Sequence, residues 1–183
     1  MNIKKFLTAS VVTAMTAGTA FAMNPEVGGA PMFEDKNIIE NAVNSKDHTT
    51  LVAAVKAADL VETLSGEGPF TVFAPTNDAF AALPEGTVET LLKPENKDQL
   101  AKILTCHVVA ADAMSKDITK MVDDDGGAHP VKTVGGCEFT AKYEGDKIMI
   151  EDGKGNVATV TIADVDQSNG VIHVIDKVLL PAG

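Results

Sequence analysis

From Asn37 onward the apolar residues recur at helical spacing. Ile38, Ile39, Ala42 and Val43 fall on one face. In "DHTTLVAAVKAADLVETLSG", Leu51, Val52, Val55 and Ala58, then Leu60, Val61 and Leu64, keep the rhythm of an amphipathic helix, and Gly66 stops it. A further helix is predicted after Pro94, where Leu100, Ile103, Leu104 and His107 continue one apolar face. Residues 108–109 begin a strand, 110–122 form a short strand–helix connection, and "DDDGG" is an exposed turn. From Val131 the period drops to two. Cys137, Phe139, Ala141 and Tyr143 take one face and Glu138, Thr140 and Lys142 the other, which predicts a half-buried strand. Residues 147–151 and 156–162 read as two more strands around the "EDGKGN" turn, and the apolar run 171–175 as a buried one. Helices dominate the first half and strands the second, so the fold class is α+β.

Between the two patterns lies "GPFTVFAPTNDAFAALP", residues 68–84, an abrupt switch from strand to helix. Residues 70–74 form an apolar strand that suits a central position. Pro75 cannot donate to a ladder and ends it. Thr76 then caps a helix, its hydroxyl accepting a free backbone N–H. Asp78 places negative charge in the first turn, where the helix dipole favours it. Phe80 and Leu83 face the core, and Pro84 ends the helix. Thr87 is expected to cap the next short helix, which runs to Leu92.

Composition narrows the setting. Residues 1–22 have the form of an export signal: Lys4 and Lys5, a short apolar stretch, and Ala20-Phe21-Ala22 as the cleavage pattern. The apolar stretch is short and rich in Thr for a membrane span, which needs about 20 apolar residues. Residues 23–35, rich in Pro and Gly, read as a flexible arm, and 36–183 as the domain. Formal charge is −11, and all 15 basic residues are lysines. An acidic chain without arginine is a poor match for nucleic acid and for anionic membrane surfaces, and no membrane insertion is expected.

Candidate chemistry is sparse. His107 and His173 sit in apolar contexts. They are either a pair able to bind zinc or core histidines bonded to backbone carbonyls, and no third ligand at recognisable spacing accompanies them. His48 and His129 fall near loops and are expected to be solvated. Cys106 and His107 are adjacent, and neighbours on an element do not face each other. A thiolate–imidazole pair also needs a third group to orient the base. "DVDQSNG", 164–170, alternates oxygen donors like a calcium loop, but Asn169 and Ile175 stand where that loop needs Gly and Glu. Turn chemistry explains the same residues. No catalytic constellation, metal set or cofactor motif emerges, so the chain is not expected to be an enzyme.

Three stretches carry a family likeness. "GPFTVFAPTNDAFAALP" resembles the first signature of the fasciclin-like domain, and "NGVIHVIDKVLLP", 169–181, the second. "ILTCHVV", 103–109, resembles the Tyr-His block between them. The family comprises extracellular adhesion proteins and single-domain secreted bacterial proteins. The resemblance implies a β-wedge or sandwich of short strands, with helices packed in the N-terminal half. It implies an exported module, periplasmic or secreted, that adheres to cells, matrix or envelope components by binding a surface protein or glycan. The alternative is a small-ligand or metal-binding periplasmic protein. Two positions depart from the family pattern. Cys106 replaces the Tyr of the middle block. Asp164-Val165 stands where animal members carry an Asp-Ile pair linked to integrin binding.

Two cysteines in an exported chain suggest one disulfide. Cys137 faces inward on its strand and Cys106 occupies the place of a core aromatic. A Cys106–Cys137 bond would require Cα atoms about 4.4–6.8 Å apart.

Overall fold

A computed structural model describes residues 24–182. The expected export signal, 1–22, lies outside the described residues. A hairpin of β1 (Glu26–Val27) and β2 (Ala30–Pro31) comes first. It is followed by α1 (Ile38–Ala42), α2 (Thr49–Ala57) and α3 (Val61–Ser65). Strand β3 (Phe70–Pro75) leads into α4 (Asn77–Ala81), α5 (Thr87–Leu91) and α6 (Lys97–Cys106). Then come β4 (Val108–Val109), α7 (Ser115–Asp124) and β5 (His129–Lys132). The chain ends with β6 (Glu138–Glu144), β7 (Lys147–Glu151), β8 (Val157–Gln167) and β9 (Gly170–Ile175).

Seven strands form one mixed sheet in the order β4-β3-β9-β8-β7-β6-β5. Strands β3 and β9, which carry the two signature stretches, pair in parallel. Both are buried on two faces, which is why each reads as a nearly unbroken apolar run. Val72, Ala74, Ile172 and Val174 pack under α1, α2, α4 and α6. Phe73 and Ile175 point the other way, into a second cluster with Phe139, Ile150 and Cys106.

The outermost strands approach each other, so the sheet nearly closes into a barrel. At one end Val134, just past β5, donates its N–H to the carbonyl of Val108 in β4 at 2.8 Å, and Gly135 donates to Thr105 at 3.0 Å. At the other end the edges part, leaving a cavity of about 200 Å³ under α7.

The structure departs from the sequence reading in several places. Within 23–35, expected as a flexible arm, residues 26–31 form the β1–β2 hairpin, and Val27 and Met32 are buried. In α1 the buried polar residue is Asn41, while Val43 is 48% exposed. The long helix expected over 48–65 is broken at Asp59, which adopts a left-handed conformation at φ 57°. Gly86, at φ 77°, precedes α5 and no side chain caps that helix, so Thr87 is its first residue rather than its cap. Strand β8 runs on through Gln167, with two irregularities in its pairing to β9. Its first half belongs to the β5–β8 meander and its second half to the β3–β9 core.

Candidate functional site

The strand-to-helix switch at 75–77 is built as a joint. Thr76 Oγ1 accepts from the backbone N–H of Ala79 at 3.3 Å and so caps α4, and Asp78 lies in the first turn. Asn77 does more than the sequence indicated. Its side-chain carbonyl accepts from Thr50 N–H (3.0 Å) and from the Thr49 hydroxyl (3.1 Å), and its amide donates to Lys46 O (2.8 Å). One side chain thereby ties α4 to the start of α2.

His107 ends α6 and is almost fully buried. Its Nδ1 lies 2.8 Å from the carbonyl of Ile103. A carbonyl only accepts, so Nδ1 carries the proton. Nε2 then accepts from the N–H of Leu179 at 2.9 Å. Burial holds this imidazole well below its usual range, to a pKa of about 4. His173 is arranged the same way with the nitrogens exchanged. Its Nε2 donates to Ala113 O (2.8 Å) and its Nδ1 accepts from Asp164 N–H (3.3 Å). Burial lowers its pKa as well. Both nitrogens of both rings are used, so neither ring keeps a lone pair for a metal. Among the described residues, no three His, Cys, Asp or Glu side chains converge into a metal set.

His48, expected to be solvated, is buried. It accepts from Ser45 at 2.9 Å and donates toward Ala74 O at 3.4 Å, and burial lowers its pKa. His129 is half-buried and pairs with Asp125 at 2.6 Å.

Cys106 and Cys137 are joined by a disulfide, with Cα atoms 5.4 Å apart. The bond lies at the closed end of the barrel and leaves no thiol beside His107.

Asp164 and Val165 are not an exposed pair. Val165 is fully buried and packs in the core opposite Ile172. Asp164 occupies the irregular part of β8 at φ 55°, a conformation that Asp tolerates better than most residues. Its carboxylate accepts from the N–H of Ser115 at 2.6 Å and from the Ser115 hydroxyl. Asp164 therefore caps α7 from another element.

What remains open is a polar hollow of about 470 Å³ where β3 and β9 begin. Its walls include Glu67, Asp112, Ser168 and Asn169. Two glycines allow the strands to start so close together. A Cβ on Gly68 would lie 2.0 Å from Asn169 O, and one on Gly170 only 1.9 Å from Phe70 O. Asn169 anchors the floor, accepting from Ile38 N–H (3.0 Å) and donating to Leu64 O (2.8 Å) and Gly66 O (2.9 Å). Nearby Asn41 bonds the backbone of Phe33 and the side chain of Gln167. Asp166 has its carboxyl pKa raised by burial and by the negative charges of Glu34, Asp112 and Asp164. The lining holds Glu67 and Asp112 and no basic side chain, so the hollow is acidic, with Asp166 beside it.

The comparisons agree with this architecture. Residues 46–181 match the family described as the Fasciclin domain, and the chain belongs to that family. Protein sll1483 of Synechocystis sp. is 49% identical over 95% of this chain and 98% of its own length. Immunogenic protein MPB70 of Mycobacterium bovis is 34% identical over 76% of this chain and 66% of its own. Periostin of Homo sapiens is 30% identical over 81% of this chain, which spans only 16% of that protein. The structure of a FAS1 domain pair from the insect cell adhesion molecule Fasciclin I superposes with a TM-score of 0.71 at 19% identity, covering 79% of this chain and 51% of that one. The shared fold is α+β, helices against a mixed and nearly barrel-like sheet.

Proposed function

We propose that this chain is an exported, non-catalytic interaction module, periplasmic or secreted, that adheres to a surface protein or glycan on cells, matrix or the envelope. One observation carries the reading. The candidate side chains that the sequence singles out are used by the scaffold: Thr76, Asp164, His107 and His173 in hydrogen bonds, Cys106 and Cys137 in a disulfide. The open polar surface at the start of the second signature is left for recognition, the usual place for binding residues on a rigid scaffold. Family membership and the likeness to a cell adhesion molecule support the same reading. The acidic rim suits a partner with basic groups, so association should weaken as salt rises.

The test is capture of intact cells and envelope fractions on the immobilised domain, in low and high salt, with Asp112→Asn/Asp166→Asn as the altered surface. Salt-sensitive capture that the double change weakens is the expected result. Absence of capture from any own-cell or host-cell surface would sink the reading. The metal-binding alternative has no lone pair to work with at His107 or His173.

A further inference from the structure

A second hollow, of about 380 Å³, lies on the far side of the helical layer between α5, α6 and the C-terminal stretch. Its floor is apolar: Leu91 and Ile103 are buried, and Leu83 and Leu180 are half-buried. On α6, Gln99, Lys102 and Ile103 stand at i, i+3 and i+4, so they share the helix face that lines it. The opposite wall is fixed by Asp152, which accepts from the N–H groups of both Lys154 (2.9 Å) and Leu180 (3.0 Å). Gly153 lets the tail lie against this turn, since a Cβ there would come within 2.6 Å of Ala182 N. The wall holding Lys154 is therefore built in rather than loose.

The charge of this hollow is the reverse of the rest of the chain. The protein carries 26 acidic residues against 15 lysines, yet the lining contains two lysines and no acid. The ion pairs among the described residues engage Lys97, Lys142 and His129. Lys102 and Lys154 have no carboxylate within 4.0 Å among those residues. The volume lies within the range of small-molecule sites, about 300–1,000 Å³.

We infer that this groove binds a single-chain amphiphile with an anionic head, a fatty carboxylate, its chain on Leu83, Leu91, Ile103 and Leu180 and its carboxylate between Lys102 and Lys154. The inference does not depend on the adhesion reading, which concerns the acidic hollow at the other end of β3 and β9. Each methylene that leaves water should tighten binding about fourfold, so affinity should climb with chain length until the groove is full.

The test uses the oxidised protein with dodecanoate, below its micelle concentration, and with dodecanol as the uncharged probe. Calorimetry measures affinity and backbone amide NMR shifts locate the site. Lys102→Gln/Lys154→Gln changes two exposed side chains and is expected to fold normally. Dodecanoate should bind one molecule per chain, move the amides of 83–103, 152–154 and 178–181, and lose about tenfold in affinity in the double variant. Dodecanol should bind the parent protein about tenfold more weakly. Equal binding of the two probes, no effect of the double variant, or shifts confined to the cavity under α7 would overturn the assignment. A dimer in sedimentation that disappears in the double variant would give the groove to a second copy instead and also overturn it.

Discussion

In the meander β5–β8 each strand pairs with the next in sequence, so one ladder after another satisfies the backbone. The helical layer is made differently. Helices α1, α3, α4 and α5 have five residues each, and isolated helices shorter than about 12–15 residues are marginal in water. They are held by side chains reaching between elements: Asn169 bonds Ile38 N–H in α1 and Leu64 O in α3, Asn77 on α4 bonds Thr50 N–H in α2, and Asn41 on α1 bonds the carbonyl of Phe33. The meander relies on regular pairing, and one covalent tie joins its start to α6. The helical layer relies on a few buried or half-buried polar residues, each with several partners. Damage should therefore be graded in the meander and concentrated in the helical layer.

The largest effect should come from the covalent tie. The Cys106–Cys137 bond has a sequence separation of 31. The loop it closes is worth about 3–4 kcal/mol in the chain-entropy picture. Reduction should lower the urea midpoint accordingly, and hydrogen exchange should accelerate first in β5 and β6 rather than in α1–α4. An unchanged midpoint would show that the ladders alone hold the barrel shut.

The seam between the two regions should respond to acid. His107 on α6 bonds Leu179, just past β9, and its pKa falls from 6.5 to about 4 on folding because of burial. The unfolded chain therefore takes up the proton first. Stability is complete above pH 6.5 and falls as pH drops toward 4, by about 3 kcal/mol from this residue. His48 and His173, also lowered by burial, act in the same direction. Asp152 enters at lower pH. Burial opposes its ionisation, but hydrogen bonds from Asn156, Leu180 and Lys154 outweigh this and hold its pKa below normal, so its contribution is lost as pH falls through that lowered value. Denaturant midpoints from pH 7 to pH 4 give the slope, and a flat profile would contradict the buried neutral imidazole.

Asn169→Ala strikes the helical layer alone. It removes the acceptor for Ile38 N–H and the donors to Leu64 O and Gly66 O. Part-buried groups left without partners make a loss of about 2–3 kcal/mol the expected cost. Exchange should rise in α1 and α3 and stay slow in β6 and β7. Uniform acceleration across both regions would mean that the layer and the meander unfold as one unit.

The elements that could be read from the sequence are those whose pattern is local. The apolar runs of β3 and β9, the alternation of β6 and the stripe of α6 follow directly from their residue spacing. Thr76 could be read as a cap because its partner is three residues away. Asn169 could not, because its partners Ile38 and Leu64 lie 131 and 105 residues distant. His48 looks like a loop residue although Ser45, three residues away, bonds its ring; its second partner, Ala74 O, is 26 residues distant. Turn chemistry is expected over 164–170, whereas β8 continues through Gln167 and buries Val165. The apolar Val27 and Met32 were masked by the Pro and Gly around them. The polar hollow and the lysine-lined groove are each assembled from segments far apart in the chain, and no single motif announces either.

The smallest effect isolates the cap itself. Thr76 Oγ1 satisfies one N–H of α4, and Thr76→Ala should cost about 1 kcal/mol. Thr76→Ser keeps the oxygen and should restore most of that loss. Asn77, which ties α4 to α2, is untouched by either change. If Ala and Ser cost the same, the oxygen is not the source of the stability, and the methyl group of Thr76 packing at the joint would be. A loss in Thr76→Ala much larger than a single cap would show that α4 cannot hold Asn77 in place without it, making the joint one cooperative unit rather than a cap beside a tie.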